Sequence, residues 1–259
     1  MFEKRISYTL LSCYEKCHKR CYLQYFKQVV GYDEVNHRNF MVGLVGDWLF
    51  NKWISEHNYE ESWMENKAED IYNWFEKRKN VIYRNNLDKA KMLKKLKKAA
   101  RRMEDVAFAN DFPDRKIDTQ LKLSYVHDGV EYFGKLDLWF PEEELVWDLK
   151  ITESSKYLDV FQLHFFAWLI EQNNMNVKGL AFLVPMMKKS LQEHEWTEVD
   201  RVELERRVAE DLAKLKARNW QMNASDCWGC PVARFCEGDV TLDSSFKEGL
   251  GGFKINLGG

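Results

Sequence analysis

The hydrophobic pattern divides the chain into helical segments and a central group of strands. Apolar residues recur at spacings of three and four over residues 7–30 and 39–55, which predicts two helices. Residues 60–110 are charged and contain no glycine or proline, so we expect a helical insertion there. After Pro113 the pattern predicts strands over 121–126, 132–140 and 145–152. The Asp128-Gly129 pair between the first two strands predicts a tight hairpin.

The remainder of the chain returns to helical periodicity around one more strand. We predict a helix over 157–173, a buried strand over 179–184 that ends at Pro185, and an amphipathic helix over 197–219. The segment from Glu237 onward is rich in glycine and serine and has no periodicity, which predicts a flexible tail.

Composition narrows the class of protein. A chain of 259 residues with 45% apolar residues can bury a core, and its net charge of -2 means that nucleic-acid binding requires a local basic patch. No stretch of about 18 apolar residues is present, so we expect no membrane span. The N-terminus lacks the apolar core of a signal peptide, which predicts a cytoplasmic protein whose thiols stay reduced.

Six cysteines are concentrated in two groups. The spacing of Cys227, Cys230 and Cys236 offers three thiolate ligands on one turn, so a fourth ligand must come from elsewhere. Cysteines 13, 17 and 21 follow one another at intervals of four, on one face of the first predicted helix. We therefore predict a metal centre that joins the two ends of the chain.

Two acidic residues and a lysine are placed to converge on adjacent strands. Asp148 and Lys150 share one face of the strand over 145–152, and Asp137 lies on the strand before it. Two carboxylates can hold Mg²⁺ or Mn²⁺, which activates water, while a lysine neutralises charge on a phosphate. The pattern favours a metal-dependent nuclease; the alternative is a surface hairpin with a cross-strand ion pair.

Two further polar residues lie in apolar surroundings. Asp47 stands in the apolar run 40–50, where a charge is costly unless it is paired or metal-bound. We interpret it as a metal ligand, with a salt-bridged position as the alternative. Gln162 stands in the aromatic run 161–166 and is interpreted as a positioning group for water or phosphate, with a helix-surface position as the alternative.

The helical insertion carries a dense run of cations. Residues 89–102 contain eight lysines and arginines on a segment with an apolar stripe. Such a helix repels itself unless an anion lies alongside, so we predict contact with a phosphate backbone; a solvated face is the alternative. The predicted DNA-binding residues are Lys91, Lys94, Lys95, Lys98, Arg101 and Arg102.

The order of these motifs resembles the PD-(D/E)XK nuclease superfamily, nearest in pattern to RecB and AddB nuclease domains and CRISPR-associated Cas-four exonucleases. The matching motifs are Gly-x-x-x-acid at Asp47, Gly-x-x-Asp at Asp137, Asp-x-Lys at 148–150, Gln-x-x-x-aromatic from Gln162, and C-x2-C-P-x4-C from Cys227. The family's N-terminal cysteine motif matches Ser7, Leu11, Tyr14, Cys17 and Tyr25. The departures are Asp47 for a usual histidine, His18 for a proline and Phe166 for a tyrosine.

This resemblance implies an α/β fold with a restriction-endonuclease-like core, a mixed central sheet flanked by helices, and a C-terminal cysteine region. It implies Mg²⁺ or Mn²⁺ on Asp47, Asp137 and Asp148, with Lys150 and Gln162 as further catalytic groups. It also implies a [4Fe-4S] cluster, or zinc as the alternative occupant, on Cys17, Cys227, Cys230 and Cys236.

The function implied is that of a DNA exonuclease acting 5′ to 3′ on single strands or frayed ends, with DNA and proteins of CRISPR adaptation or recombination as partners. The alternatives are a DNA-binding or end-protecting subunit with an idle active site, and an endonuclease of the same fold. We divide the chain into N-terminal helices (1–56), helical insertion (57–112), nuclease core (113–220), cluster turn (221–238) and flexible tail (239–259).

Overall fold

A computed structural model describes residues 5–27, 38–79 and 86–218, together with positions 220, 221, 223, 230, 232 and 236. The chain divides into two compact units, one made of residues 36–205 and one of the residues before and after that range. Cys227 and the predicted tail over 239–259 lie outside the described residues. Within the described part, no helix is long and apolar enough to cross a membrane.

The described residues form helices in the N-terminal part of the chain and strands in its middle, followed by two further helices and two further strands. The helices are α1 (Tyr8–Lys16), α2 (His18–Cys21), α3 (Arg38–Ser55), α4 (Trp63–Lys79), α5 (Asn86–Ala109), α6 (Val160–Gln172) and α7 (Glu198–Lys216). The strands are β1 (Arg5–Ser7), β2 (Asp118–His127), β3 (Val130–Phe140), β4 (Leu145–Leu149), β5 (Gly179–Leu183) and β6 (Leu191–His194). A π-helix covers Tyr22–Phe26, and 3-10 turns cover Phe112–Asp114 and Ser155–Tyr157.

A mixed sheet with the order β2-β3-β4-β5-β6 runs through the larger unit. Neighbouring strands are antiparallel except for β4 and β5, which are parallel. Because parallel neighbours cannot be joined by a tight turn, the chain crosses between them through α6. The predicted α/β fold class, with a mixed sheet flanked by helices, is confirmed.

The hairpin between β2 and β3 is confirmed at the predicted dipeptide. Asp128 and Gly129 have φ values of 49° and 72°, and His127 pairs with Val130 across the turn. Two successive positive φ values are typical of the two-residue turn that matches the twist of the flanking strands. The local sequence thus sets the register that brings the rest of β3 against β2.

The predicted continuous helix over residues 7–30 is wrong. Helix α1 ends at Lys16, and Cys17 has an extended backbone with φ of -161° and ψ of 111°. The Cys17 Sγ accepts a hydrogen bond from the Arg20 N–H at 3.5 Å, so it caps the next helix. Because the helix breaks at Cys17, the three N-terminal cysteines do not lie on one continuous helical face.

Other boundaries differ from expectation in ways that local hydrogen bonds explain. Helix α6 begins at Val160 because Asp159 caps it, its carboxylate accepting from the Phe161 N–H at 3.2 Å. Strand β4 ends at Leu149, three residues before the predicted end. Strand β6 was not predicted, since Leu-Gln-Glu-His lacks an alternating apolar pattern.

Helices and strands of the larger unit share a hydrophobic core. Fully buried side chains from α3, α4 and α5 pack with those of β3, β4 and β5, among them Trp53, Tyr72, Leu96, Phe140 and Leu183. Burial of large apolar side chains of this kind is the main source of folding free energy. The core therefore holds the helical insertion against the sheet.

Gly134 marks a close approach between β3 and α6. A Cβ atom at this position would lie 2.7 Å from Leu169 Cδ1 and 3.2 Å from two ring carbons of Phe166. The backbone of β3 can approach α6 this closely only because residue 134 has no side chain. The same strand carries Asp137 three residues later.

We expect the Gly134→Ala substitution to lower the free energy of unfolding by about 1–3 kcal/mol, because the added methyl group overpacks this contact. Thermal unfolding followed by circular dichroism measures the effect. Gly43→Ala on α3 is the control, since nothing lies within 4 Å of its added Cβ and alanine favours a helix by about 1 kcal/mol. Equal melting temperatures for Gly134→Ala and the wild type would contradict the close-approach explanation.

Candidate active site

Asp148 and Lys150 form an ion pair at the end of β4. The Lys150 Nζ lies 2.6 Å from Asp148 Oδ2, and the Asp148 residue is only 2% exposed. Gln162, in the first turn of α6, donates a hydrogen bond from Nε2 to Asp148 Oδ1 at 3.0 Å. A buried carboxylate requires such partners on its oxygens, because an uncompensated charge would destabilise the fold.

Asp137 is held against the same strand by the backbone. Its Oδ2 accepts a hydrogen bond from the Leu149 N–H at 3.0 Å, next to Asp148 in the chain. Its Oδ1 accepts one from Gln120 Nε2 at 3.2 Å. The structure thereby brings together the two carboxylates and the lysine that the sequence analysis singled out.

Asp47 approaches the same group from helix α3. Its Oδ1 accepts from Asn51 Nδ2, one helical turn away, at 2.8 Å, and lies 3.4 Å from Gln120 Nε2. Gln120 and Asn51 were both missed by the sequence analysis. The i,i+4 spacing of Asn51 from Asp47 is a signal that could have identified it. Gln120 has no comparable signal, because its contacts depend on strand pairing.

Burial and mutual repulsion disfavour ionisation of these carboxylates. Burial raises the pKa of Asp47 to about 6, with a further rise caused by Asp137 that Lys135 and Asn51 oppose. Burial raises the pKa of Asp148 to about 7 although Lys150 acts in the opposite direction. The pKa of Asp137 is also raised by burial, again against the effect of Lys150. Such a cluster attracts a divalent cation, which relieves the repulsion.

The carboxylate oxygens of this site are of the chemical type that binds hard divalent cations. Asp47, Asp137 and Asp148 supply carboxylate oxygens, which Mg²⁺ and Mn²⁺ prefer. Among the described residues, no three acidic, histidine or cysteine side chains are yet arranged as a coordination shell. The carboxylate oxygens are covered by the Lys150 ammonium, by two glutamine amides and by a backbone N–H. Binding of a cation would therefore exchange some of these donors for the ion.

Many cations of α5 are neutralised by acidic residues of α4. These pairs are Lys89 with Glu76 at 2.6 Å, Lys97 with Glu69 at 2.9 Å, and Arg101 with Glu65 at 2.7 Å. Of the predicted DNA-binding residues, Lys95 lies 3.9 Å from Glu153, and Arg102 donates to the Pro185 carbonyl at 3.1 Å. The helix therefore presents far less positive charge than its sequence indicates.

A narrower stripe of cations remains on α5. Lys91, Lys94 and Lys98 are exposed and have no carboxylate partner within the described part of the chain. Their spacing of three and four places them on one side of the helix. The same helix reaches the active site, since Leu96 Cδ1 lies 3.6 Å from a Cβ built at Gly46, next to Asp47.

The smaller unit contains the N-terminal cysteines in unequal environments. Cys17 Sγ accepts from two backbone N–H groups, those of Arg20 and Asn223, each at 3.5 Å. Cys13 instead donates to Gln24 Oε1 at 3.3 Å, and Cys21 donates to a backbone carbonyl at 3.8 Å. Hydrogen bonds to the sulfur are a known feature of cysteines that bind iron–sulfur clusters.

The C-terminal residues pack directly on the Cys17 segment. The Lys19 N–H donates to the Gln221 carbonyl at 3.0 Å, and Asn223 Nδ2 donates to the Lys16 carbonyl at 3.0 Å. Trp220 contacts the rings of Tyr14, Tyr22 and Phe26. The partly buried Cys230 and Cys236 pack against Leu23 and Val232. The predicted ligand Cys227 lies outside the described residues.

Comparison with known proteins identifies the family. The PD-(D/E)XK nuclease superfamily model matches residues 5–237. A crystal structure from Eubacterium rectale, described as a candidate exonuclease, aligns with a TM-score of 0.57 at 11% identity over 96% of this chain and 94% of that one, which shows a shared fold. The structure of SSO0001 aligns over 75% of this chain and 96% of that one at 15% identity, but its TM-score of 0.37 supports no argument. No curated protein sequence matches significantly. Because the family model spans most of its length, this chain belongs to the PD-(D/E)XK nuclease superfamily.

Proposed function

We propose that this chain is a nuclease that uses Mg²⁺ or Mn²⁺ to remove nucleotides from single-stranded or frayed DNA ends. The observation that carries the proposal is the buried Asp148–Lys150 pair, with Asp137 and Asp47 beside it and the Gln162 amide on Asp148. These are the acid, lysine and glutamine motifs of the superfamily to which the chain belongs.

In the proposed hydrolysis of a phosphodiester, the three aspartates share one task, and Lys150 and Gln162 have one task each. Asp47, Asp137 and Asp148 would hold the cation, which when bound would lower the pKa of a water and offset the phosphate charge. The Lys150 ammonium donates to the attacking water or to a phosphate oxygen, where negative charge develops in the transition state. Gln162 keeps the Asp148 carboxylate oriented through its 3.0 Å hydrogen bond.

Two observations support an activity on single-stranded ends. Tyr157 is 59% exposed on the 3-10 turn between Lys150 and Gln162, and Lys156 Nζ lies 4.8 Å from its ring. An exposed aromatic ring beside a cation is suited to stack on an unpaired base and contact its phosphate. The Eubacterium rectale protein of similar fold is described as a candidate exonuclease. We propose the 5′ to 3′ direction on the resemblance of the motif order to Cas-four enzymes alone.

We expect Asp148→Asn to reduce cleavage of linear single-stranded DNA by about a hundredfold or more, because the amide cannot hold the cation as a carboxylate does. Oligonucleotides labelled at the 5′ or the 3′ end, incubated with Mn²⁺ or with EDTA, measure the rate and the direction. Circular single-stranded DNA separates an exonuclease from an endonuclease. Wild-type cleavage rates retained by Asp148→Asn would exclude this site, and DNA binding without cleavage would favour the end-protecting alternative.

Thermal unfolding in EDTA provides the control that Asp148→Asn is folded. The folded-state pKa of Asp148, about 7, lies above that of an unfolded aspartate, about 3.9. The unfolded chain therefore loses this proton first, and the wild type loses stability as the pH rises from about 4 to about 7. The asparagine side chain of the variant does not ionise, so the stability of the variant relative to the wild type should increase over that range.

The exposed stripe of α5 is the proposed path of the DNA backbone. We expect Lys94→Glu combined with Lys98→Glu to weaken single-stranded DNA binding at least about tenfold and to reduce its salt dependence, because phosphate contacts release counterions. Fluorescence anisotropy in Ca²⁺ at several salt concentrations measures both effects. The control is Arg101→Ala, whose guanidinium already pairs with Glu65. An equal loss of DNA affinity in the control and in the double variant would contradict the proposal that DNA runs along the stripe.

We also propose that Cys17, Cys227, Cys230 and Cys236 bind a structural [4Fe-4S] cluster, with zinc as the competing metal. The support is the pair of N–H donors on Cys17 and the packing of residues 220, 221 and 223 against its segment. Four thiolates suit either metal. Such a centre would fasten the C-terminal segment to the N-terminal helices.

We expect anaerobically purified protein to contain iron and to absorb in the visible range, and Cys17→Ser to lose most of that iron. Cys13→Ser should retain it, since the Cys13 thiol donates to Gln24 Oε1 and is not one of the proposed ligands. Iron and zinc analysis with absorption spectra provides the measurement. Iron loss from Cys13→Ser with retention in Cys17→Ser would reverse the assignment, and zinc without iron would identify the other metal.

A further inference from the structure

Gln120 has an unusual backbone for a residue inside a strand. The pairs Thr119 with Leu138 and Leu121 with Leu136 place it directly opposite Asp137, yet its φ is +54°. The left-handed region is unfavourable for a side chain of this kind. The other non-glycine residues with positive φ in the described part of the chain lie in turns or at helix ends: His57, Ser62, Asp111, Asp128, Glu144, Asn174 and Arg218.

The side chain of Gln120 lies between two carboxylates. Its Nε2 is 3.2 Å from Asp137 Oδ1 and 3.4 Å from Asp47 Oδ1. Asp47 comes from helix α3 and Asp137 from strand β3, and their charges repel. An uncharged amide that donates to both can keep them close without adding a competing positive charge.

Strain and contact together point to a role at the cation site. A residue in an unfavourable conformation persists where the surrounding structure enforces it, and such residues cluster at functional sites. We propose that Gln120 is a positioning residue that holds Asp47 and Asp137 within reach of one divalent cation. This role rests on the cation-dependent site proposed above, and it concerns the affinity for the ion rather than the chemical step.

Two substitutions separate the effect of losing the Gln120 amide from the effect of relieving the backbone strain. Gln120→Gly removes both, because glycine adopts positive φ freely. Gln120→Ala removes the amide and keeps an unfavourable backbone. Gln192→Ala, on strand β6, is the control, since the Gln192 amide contacts Met187 Sδ.

The first measurement is titration calorimetry with Mn²⁺ alone, on protein from which divalent cations have been removed with EDTA. The Kd for Mn²⁺ should rise about tenfold in both Gln120 variants and stay unchanged in Gln192→Ala, the size of effect seen when a partner of a metal ligand is lost. In EDTA, the glycine variant should unfold at a higher temperature than the alanine variant, because both lack the amide and only glycine relieves the backbone strain. Nuclease assays should show a similar rise in half-saturating Mn²⁺, with the rate at saturation within about threefold of wild type.

Two results would overturn this role. They are wild-type Mn²⁺ affinity in Gln120→Gly and a wild-type protein that binds no Mn²⁺. A different result would contradict the nuclease proposal. If Mn²⁺ binding weakens as expected but no form of the protein cleaves DNA, the positioning role holds and the nuclease function does not.

Discussion

A carboxylate buried in the sheet imposes the constraint on which the site depends. Asp148 is almost fully enclosed, and it retains a charge only if each oxygen meets a donor. Lys150 meets that need from the same strand, while Gln162 meets it from α6, which the parallel crossover to β5 places alongside. The same architecture that satisfies the buried acid therefore gathers the side chains to which we assign catalytic roles.

The position of the second acid follows from backbone geometry. Asp137 is held by the Leu149 N–H across the β3–β4 pair, so its place depends on strand register. That register is set by the turn at 141–144, across which Phe140 pairs with Leu145, and the close approach at Gly134 fixes β3 against α6. Small and turn-forming residues thus control the distance between two charged groups that would otherwise move apart.

The ion pairs of the helical insertion show that the number of basic residues in α5 overstates the positive charge available to a nucleic acid. Acidic residues of α4 pair with three cations of the basic run of α5, and three of its other lysines form the exposed stripe. Exposed pairs of this kind contribute little to stability, but they change the field that a nucleic acid would meet. The remaining cations lie on the helix that also packs beside Asp47.

The sequence by itself determined the hairpin, the strands that carry Asp137 and Asp148, the shared face of Asp148 and Lys150, and the superfamily motifs. These features depend on periods of two to four residues and on turn chemistry, which are local. The tertiary structure alone decided the break at Cys17, the existence of β6, the pairing of the α5 cations, and the place of Gln120 between two carboxylates. The ion pairs of α5 and the contacts of Gln120 join residues distant in the chain, and no local pattern records which distant groups will meet. The break at Cys17 and strand β6 depend on hydrogen bonds to nearer residues that the hydrophobic pattern does not reveal.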